Sequence, residues 1–167
     1  MESPFVLIVM GSDSDLTIME EAGKVLVEFG VSYEMHISSA HRAPRKTAAL
    51  AAGAAGRGIK VIIAAAGMAA HLAGVVAAET TLPVIGVPIG GGALGGTDAL
   101  YAMVQMPGGI PVATMAIGKA GAKNAALLAV QILALSDARL ATALVHHRER
   151  MAQEVEEKDA LLNRTSA

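Results

Sequence analysis

The sequence contains no cysteine and no tryptophan, and its only aromatic side chains are Phe5, Phe29, Tyr33 and Tyr101. Without cysteine there is no disulfide framework, thiolate metal site or redox pair, which fits a reducing cytoplasm. So few rings provide neither the stacking platform that holds single-stranded nucleic acid nor the sandwich that holds a flavin. Charge is also scarce: 17% of residues are charged, the net charge is −2, and lysine and arginine do not cluster. No polyanionic partner is therefore expected, and any bound anion should be small. Mean hydropathy is positive at +0.51. Yet glycine, proline and charged residues break every apolar run before the roughly 20 residues a spanning helix needs. The opening Met1-Glu2-Ser3-Pro4 lacks the basic start of a secretory leader. What is abundant is alanine and glycine. So apolar a chain has little polar material to cover itself as a monomer, which points to a homo-oligomer.

The 167 residues are read as a single domain with a core over 5–135. Phe5 to Met10 is a short apolar run ending at Gly11, as expected of a strand buried on both faces. A helix follows, with Leu16, Met19, Gly23, Leu26 and Val27 at helical spacing and Gly30 as its stop. The unit then repeats. Strands are expected at 31–37, 60–66, 83–89 and 110–117, and helices at 44–55, 69–79, 97–106 and 120–135. Thr97 or Asp98 is the expected cap of the fourth helix. Strict alternation with short links predicts right-handed crossovers. The fold class is α/β: a flavodoxin-like three-layer sandwich around a five-stranded parallel sheet. An extra amphipathic helix over about 137–162 has no sixth strand to precede and is expected to pack on a neighbouring subunit.

In such sheets ligands bind beyond the carboxyl ends of the strands. The first of those loops, Gly11-Ser12-Asp13-Ser14-Asp15, offers hydroxyls and helix N-terminal amides suited to a phosphate, and Asp15 suits sugar hydroxyls. An ordinary helix cap is the alternative. The second, Ser38-Ser39-Ala40-His41-Arg42-Ala43-Pro44, sets an imidazole beside a guanidinium. Histidine shuttles protons near neutral pH and arginine matches a phosphate fork. The third brings His71 to a helix start among alanines and glycines, either as a neutral hydrogen-bonding group or as a buried structural histidine. His36 lies within a strand, and His146 and His147 are expected to be solvated. No histidine pair has metal spacing. Lys119 and Lys123 read as an anion site or, more simply, as solubilising residues, and no serine sits in a nucleophile elbow. The residues thus describe a small phosphorylated substrate and a proton-shuttling histidine, consistent with isomerase or lyase chemistry.

Several ordered blocks carry the reading further. Gly11 to Asp15, Ser39 to Pro44, Ala69-Ala70-His71-Leu72, Leu82 to Pro88, Val104 to Thr114 and Ala116 to Ala129 resemble the signature blocks of the class I N5-carboxyaminoimidazole ribonucleotide mutase family of purine biosynthesis. The resemblance implies a flavodoxin-like subunit in a cytoplasmic homo-octamer, a ribonucleotide substrate, and no cofactor or metal. It also implies roles. His41 is the general acid and base, and Ser12, Asp15 and Arg42 hold the ribose and phosphate. Gly11, Ser14, Ser39, Ala40, Gly67, Ala70 and His71 complete the substrate site.

The chain departs from the family pattern at Met68, where glycine is usual, at Ala73 for proline, at Ala43 for threonine, and in the glycines from Gly90 to Gly96. Class II relatives, which carboxylate aminoimidazole ribonucleotide directly with carbon dioxide, usually carry lysine after the catalytic histidine and lack the second histidine. Arg42 and His71 point to class I. A branch that carboxylates a pyridine dinucleotide for nickel-pincer cofactor assembly is echoed in Gly67-Met68, and the Gln105 to Ala113 block argues against it. The remaining alternative is a flavodoxin-like binding module without catalysis.

Overall fold

The computed structural model describes residues 5–165; the Met1–Pro4 segment, read above for its lack of a basic leader, lies outside it. Five strands, β1 (Val6–Met10), β2 (Tyr33–Ile37), β3 (Val61–Gly67), β4 (Val84–Ile89) and β5 (Ala113–Thr114), form one sheet in the order β2-β1-β3-β4-β5. Every neighbouring pair is parallel. The intervening helices are α1 (Leu16–Glu28), α2 (Pro44–Ala52), α3 (Leu72–Ala78), α4 (Thr97–Val104) and α5 (Lys119–Ala134), with α6 (Ala138–Thr165) last.

The central strands are buried on both faces because their side chains alternate between two cores. Val6, Ile8 and Met10 of β1 join Met19, Leu26 and the alanines of α5 on one side. Leu7 and Val9 join Ile62, Leu72, Val76 and Met103 on the other. On α5 the buried positions are Gly121, Ala122, Ala125, Ala126, Ala129 and Val130. Small side chains at this spacing bring α5 close to α1 and the sheet. Glu21 adds a polar tie, since Lys24 at 2.6 Å and Lys123 at 3.3 Å both reach its carboxylate. Hydrogen bonds from those lysines hold the Glu21 carboxyl below its ordinary value. Lys123, more than half exposed, thus pairs with Glu21 at the surface.

Several expectations need correction. The buried face of α1 is Met19, Ala22, Gly23 and Leu26, whereas Leu16 is 38% and Val27 67% exposed. Val27 lies about 100° around the helix from Leu26, which turns it to water. Gly30 does stop the helix: at φ +65° it lets Val31 N–H donate to the Leu26 carbonyl. Helix α2 ends at Ala52 and continues only as a 3-10 turn over Ala55–Arg57.

Strand β5 is two residues long instead of eight. Within the expected span Pro111 lacks an N–H, and past the Ala113–Thr114 ladder the chain meets β4 only through single bonds from Met115 to Gly86 and from Gly118 to Pro88. Helix α4 is capped by Gly96 in the left-handed region, not by Thr97 or Asp98. Helix α3 starts at Leu72, three residues later than expected.

Helix α6 begins at an Asp137 side chain that accepts from the Arg139 and Leu140 amides. Its first turns are tied down by buried Leu140, by Arg139 donating to the Phe29 carbonyl, and by Arg150 on Glu28 at 2.6 Å. His147 is only 18% exposed and packs its ring 5.4 Å from Phe29, so it is not solvated as expected. From Arg148 to Arg164 every residue is exposed. Among the described residues no helix is long and apolar enough to cross a membrane.

The tight turn that enters α5 is testable at Gly121, where a Cβ would collide with the Ala116 carbonyl. Gly121→Ala should lower the unfolding free energy by about 1–3 kcal/mol, as overpacking does. Urea denaturation checks this, and an unchanged midpoint would refute the close contact assigned to that turn.

Candidate active site

The loops after β1, β2, β3 and β4 meet at the carboxyl end of the sheet around a cleft of about 490 Å³. Strand order creates it. Because β2 and β3 flank β1, the loops that follow them face each other across the end of β1. A larger hollow of about 800 Å³ lies at the opposite end, lined by Phe5, Ile132, Leu133 and Leu140 among others. It contains no histidine, whereas His41 lines the smaller cleft; His71, expected in the substrate site, is not among the lining residues and reaches the cleft only through His41.

The first loop is both a cap and a wall. Ser12 caps the 3-10 turn Asp13–Asp15: its hydroxyl accepts from Ser14 N–H, and the Asp15 carboxylate accepts from Ser12 N–H at 3.2 Å. Ser14 Oγ donates to the other Asp15 oxygen at 3.2 Å. The cap is therefore present, and Gly11, Ser12, Ser14 and Asp15 all line the cleft. Asp15 is 6% exposed. Burial pushes its carboxyl above the ordinary value, opposed by the Ser14 and Ser12 hydrogen bonds and reinforced by the Asp13 charge. Each oxygen keeps a lone pair for a further donor.

The second loop is anchored from beneath by a buried hydrogen bond at 2.8 Å between Ser38 and Thr47, a residue of α2. The sequence reading missed this pair; a serine after the strand and a threonine one turn into the helix were its only signals. Above it, Ser39 Oγ accepts from Arg42 N–H, and the Arg42 guanidinium crosses to the Gly11 carbonyl at 3.1 Å. Ser39, Ala40, His41 and Arg42 all line the cleft.

The third loop explains the late start of α3. Met68 has φ +54°, the one non-glycine residue in the left-handed region among the described residues. Such a conformation costs about 1–2 kcal/mol. Tight turns follow, with Ala70 N–H donating to the Met68 carbonyl and His71 N–H to the Ala69 carbonyl. The chain becomes helical only at His71, the residue before Leu72. His71 is exposed, not a buried structural histidine. Its Nδ1 lies 2.9 Å from His41 Nε2, with the rings perpendicular and their centroids 5.0 Å apart. One ring donates the proton and the other the lone pair. Ala70 is fully buried and lines no part of the cleft; Ala66, Gly67, Met68, Ala69 and Leu72 do, with Ile89, Gly90 and Gly91 from the fourth strand and its loop. Of these Gly67 was expected in the substrate site, and Met68 and the glycines from Gly90 onward stood out as departures from the family pattern. Lys119, Lys123, His36, His146 and His147 are absent from the cleft lining, and among the described residues no three potential metal ligands converge.

The buried carboxylate gives a pH prediction. With its folded-state pKa raised, Asp15 imposes a stability penalty that is absent below the unfolded-state pKa and complete above the folded-state one. The stability of the parent minus that of Asp15→Asn should therefore fall as pH rises through the unfolded-state and then the folded-state pKa, and level off above the latter. Urea unfolding across that range measures it; a flat or rising difference would contradict the assignment.

Comparison with known proteins agrees with the geometry. The family model described as AIRC, AIR carboxylase, matches residues 5–154. The chain is 55% identical over 157 residues to N5-carboxyaminoimidazole ribonucleotide mutase of Pyrococcus horikoshii, covering 94% of this chain and 88% of that one. It is also 55% identical over 160 residues to the protein of the same name from Bacillus subtilis, covering 95% and 99%. Among solved structures, Treponema denticola PurE superposes with a TM-score of 0.83 at 32% identity, covering 94% and 97%. With its strand order, its cleft and these relatives in agreement, the chain belongs to the AIR carboxylase family.

Proposed function

We propose that this protein is an N5-carboxyaminoimidazole ribonucleotide mutase of purine biosynthesis, an isomerase that moves the carboxylate from the exocyclic nitrogen to ring carbon C4. The observation that carries the reading is the His41–His71 hydrogen bond at 2.9 Å, at the edge of a cleft whose other wall is Ser12, Ser14 and Asp15. Curated relatives at 55% identity bear the mutase name. In this assignment the Arg42 guanidinium and the Ser12 and Ser14 hydroxyls take the phosphate, with Gly11, Ser39 and Ala40 shaping its approach. Asp15 accepts from the ribose hydroxyls.

His41 carries the proton. As imidazolium it protonates the carbamate nitrogen; the N–C bond breaks, its electron pair returns to nitrogen, and carbon dioxide is released. The aminoimidazole is an enamine, so C4 attacks the carbon of carbon dioxide and a C–C bond forms. Neutral His41 then removes the proton left on C4, which restores the imidazolium and the aromatic ring. One histidine serves both steps and no net proton is exchanged. His71 holds the His41 ring between them.

Carbon dioxide must stay in place during this exchange. Ala66, Gly67 and Ala69 form an apolar wall for it, with Ala70 backing them from the core, and the Gly90–Gly96 segment serves as the lid. The enzyme acts in the cytoplasm without cofactor, as a homo-octamer in which α6 packs on a neighbouring copy. Val145, Met151 and Val155, which are 57%, 49% and 66% exposed on that helix, support an apolar partner of this kind.

Replacing His41 with asparagine keeps a planar polar side chain and removes proton transfer. Turnover should fall by about 10²–10⁴-fold or more, the loss expected when a general acid and base is removed. Parent and variant should sediment as the same multimer. Retained turnover would reject the role of His41, and a monomeric parent would reject the assembly.

A further inference from the structure

Met68 is placed in a way that core packing does not explain. Its backbone occupies the left-handed region at φ +54°, yet its side chain is 61% exposed. A glycine there would remove both the strain and the apolar exposure. Strain of this kind persists where function requires it. The side chain lines the same cleft as His41, and across from it stands Gly92, at φ +63°. A Cβ at Gly92 would sit 3.6 Å from Met68 Cγ and 4.0 Å from its Sδ. The third and fourth loops therefore face each other through one methionine side chain and one bare glycine, at the rim formed by Gly90 and Gly91.

We infer that Met68 is the retention residue of the site: its side chain is the apolar surface onto which the glycine-rich loop closes, sealing released carbon dioxide in with the aminoimidazole. The inference rests on the mutase reading and adds a specificity-determining residue to it. Carbon dioxide is small, uncharged and weakly hydrogen-bonded, so its retention depends on a steric seal more than on affinity. Escape competes directly with attack by C4. An unbranched thioether adapts its shape to the surface it meets, and Gly92 lies within van der Waals reach of it.

The test uses Met68→Gly and Met68→Leu in the full-length protein. The substrate is N5-carboxyaminoimidazole ribonucleotide labelled with 13C in its carbamate, supplied in unlabelled bicarbonate. Mass spectrometry reads the 13C content of the C4-carboxylated product and the amount of decarboxylated aminoimidazole ribonucleotide, after subtraction of spontaneous decay. The parent should deliver labelled product with little decarboxylation. Met68→Gly, with a thermal midpoint no lower than the parent's, should raise the decarboxylated share several-fold. Met68→Leu, which keeps the bulk at the same backbone position, should retain the label. Equal retention by Met68→Gly and the parent, or equal leakage by both variants, overturns the inference. A parent that does not interconvert the two ribonucleotides at all is a different result: it removes the mutase reading and this inference with it.

Discussion

Two imidazoles hydrogen-bonded across the end of β1 are the contact around which the site is organised. His41 Nε2 and His71 Nδ1 are 30 residues apart in sequence and 2.9 Å apart in space. They come from loops whose strands are not adjacent, since β1 lies between β2 and β3. Neighbouring strands are about 4.8 Å apart, so these loops are separated by about two such spacings, and side chains must close the gap. What fixes the contact is the rigidity beneath it. The apolar β1 and β3 are fully packed on both faces, and the buried Ser38–Thr47 bond holds the second loop on its helix.

That arrangement works against stability in two places. Asp15 is a carboxylate taken almost wholly out of water, only partly compensated by the Ser12 amide and the Ser14 hydroxyl. Met68 sits in backbone space that favours glycine. Neither feature is needed to build a parallel sheet, and both face the cleft. Local sacrifice of stability at a functional site, offset by a well-packed core elsewhere, is the common pattern in enzymes.

Legibility in the sequence follows the same division. The apolar runs of β1, β3 and β4 announce themselves because burial on both faces demands unbroken hydrophobicity, and Gly30 marks the end of α1 because only the left-handed region completes that cap. Strand β5 was overestimated: an apolar run looks like a strand even where Pro111 denies it a hydrogen bond. The chemical types of the site were legible in His41, Arg42, Ser12 and Asp15, which lie directly after strands. The geometry of the third loop was not. An Ala/Gly-rich stretch reads as helix, and nothing in local propensity reveals that Met68 adopts a positive φ that delays α3 and leaves His71 exposed to meet His41. The half-buried His147 was equally hidden, because its partner Phe29 lies on a different helix end.

The central claim is that one cleft moves a carboxylate from nitrogen to carbon without drawing on carbon dioxide from solution. The most direct measurement follows, by absorbance, the interconversion of the N5-carboxylated and C4-carboxylated aminoimidazole ribonucleotides while bicarbonate is varied, with no ATP or metal added. Equilibration from either side at a rate independent of bicarbonate is the predicted result. Turnover that starts only from the uncarboxylated ribonucleotide and requires excess carbon dioxide would contradict the account.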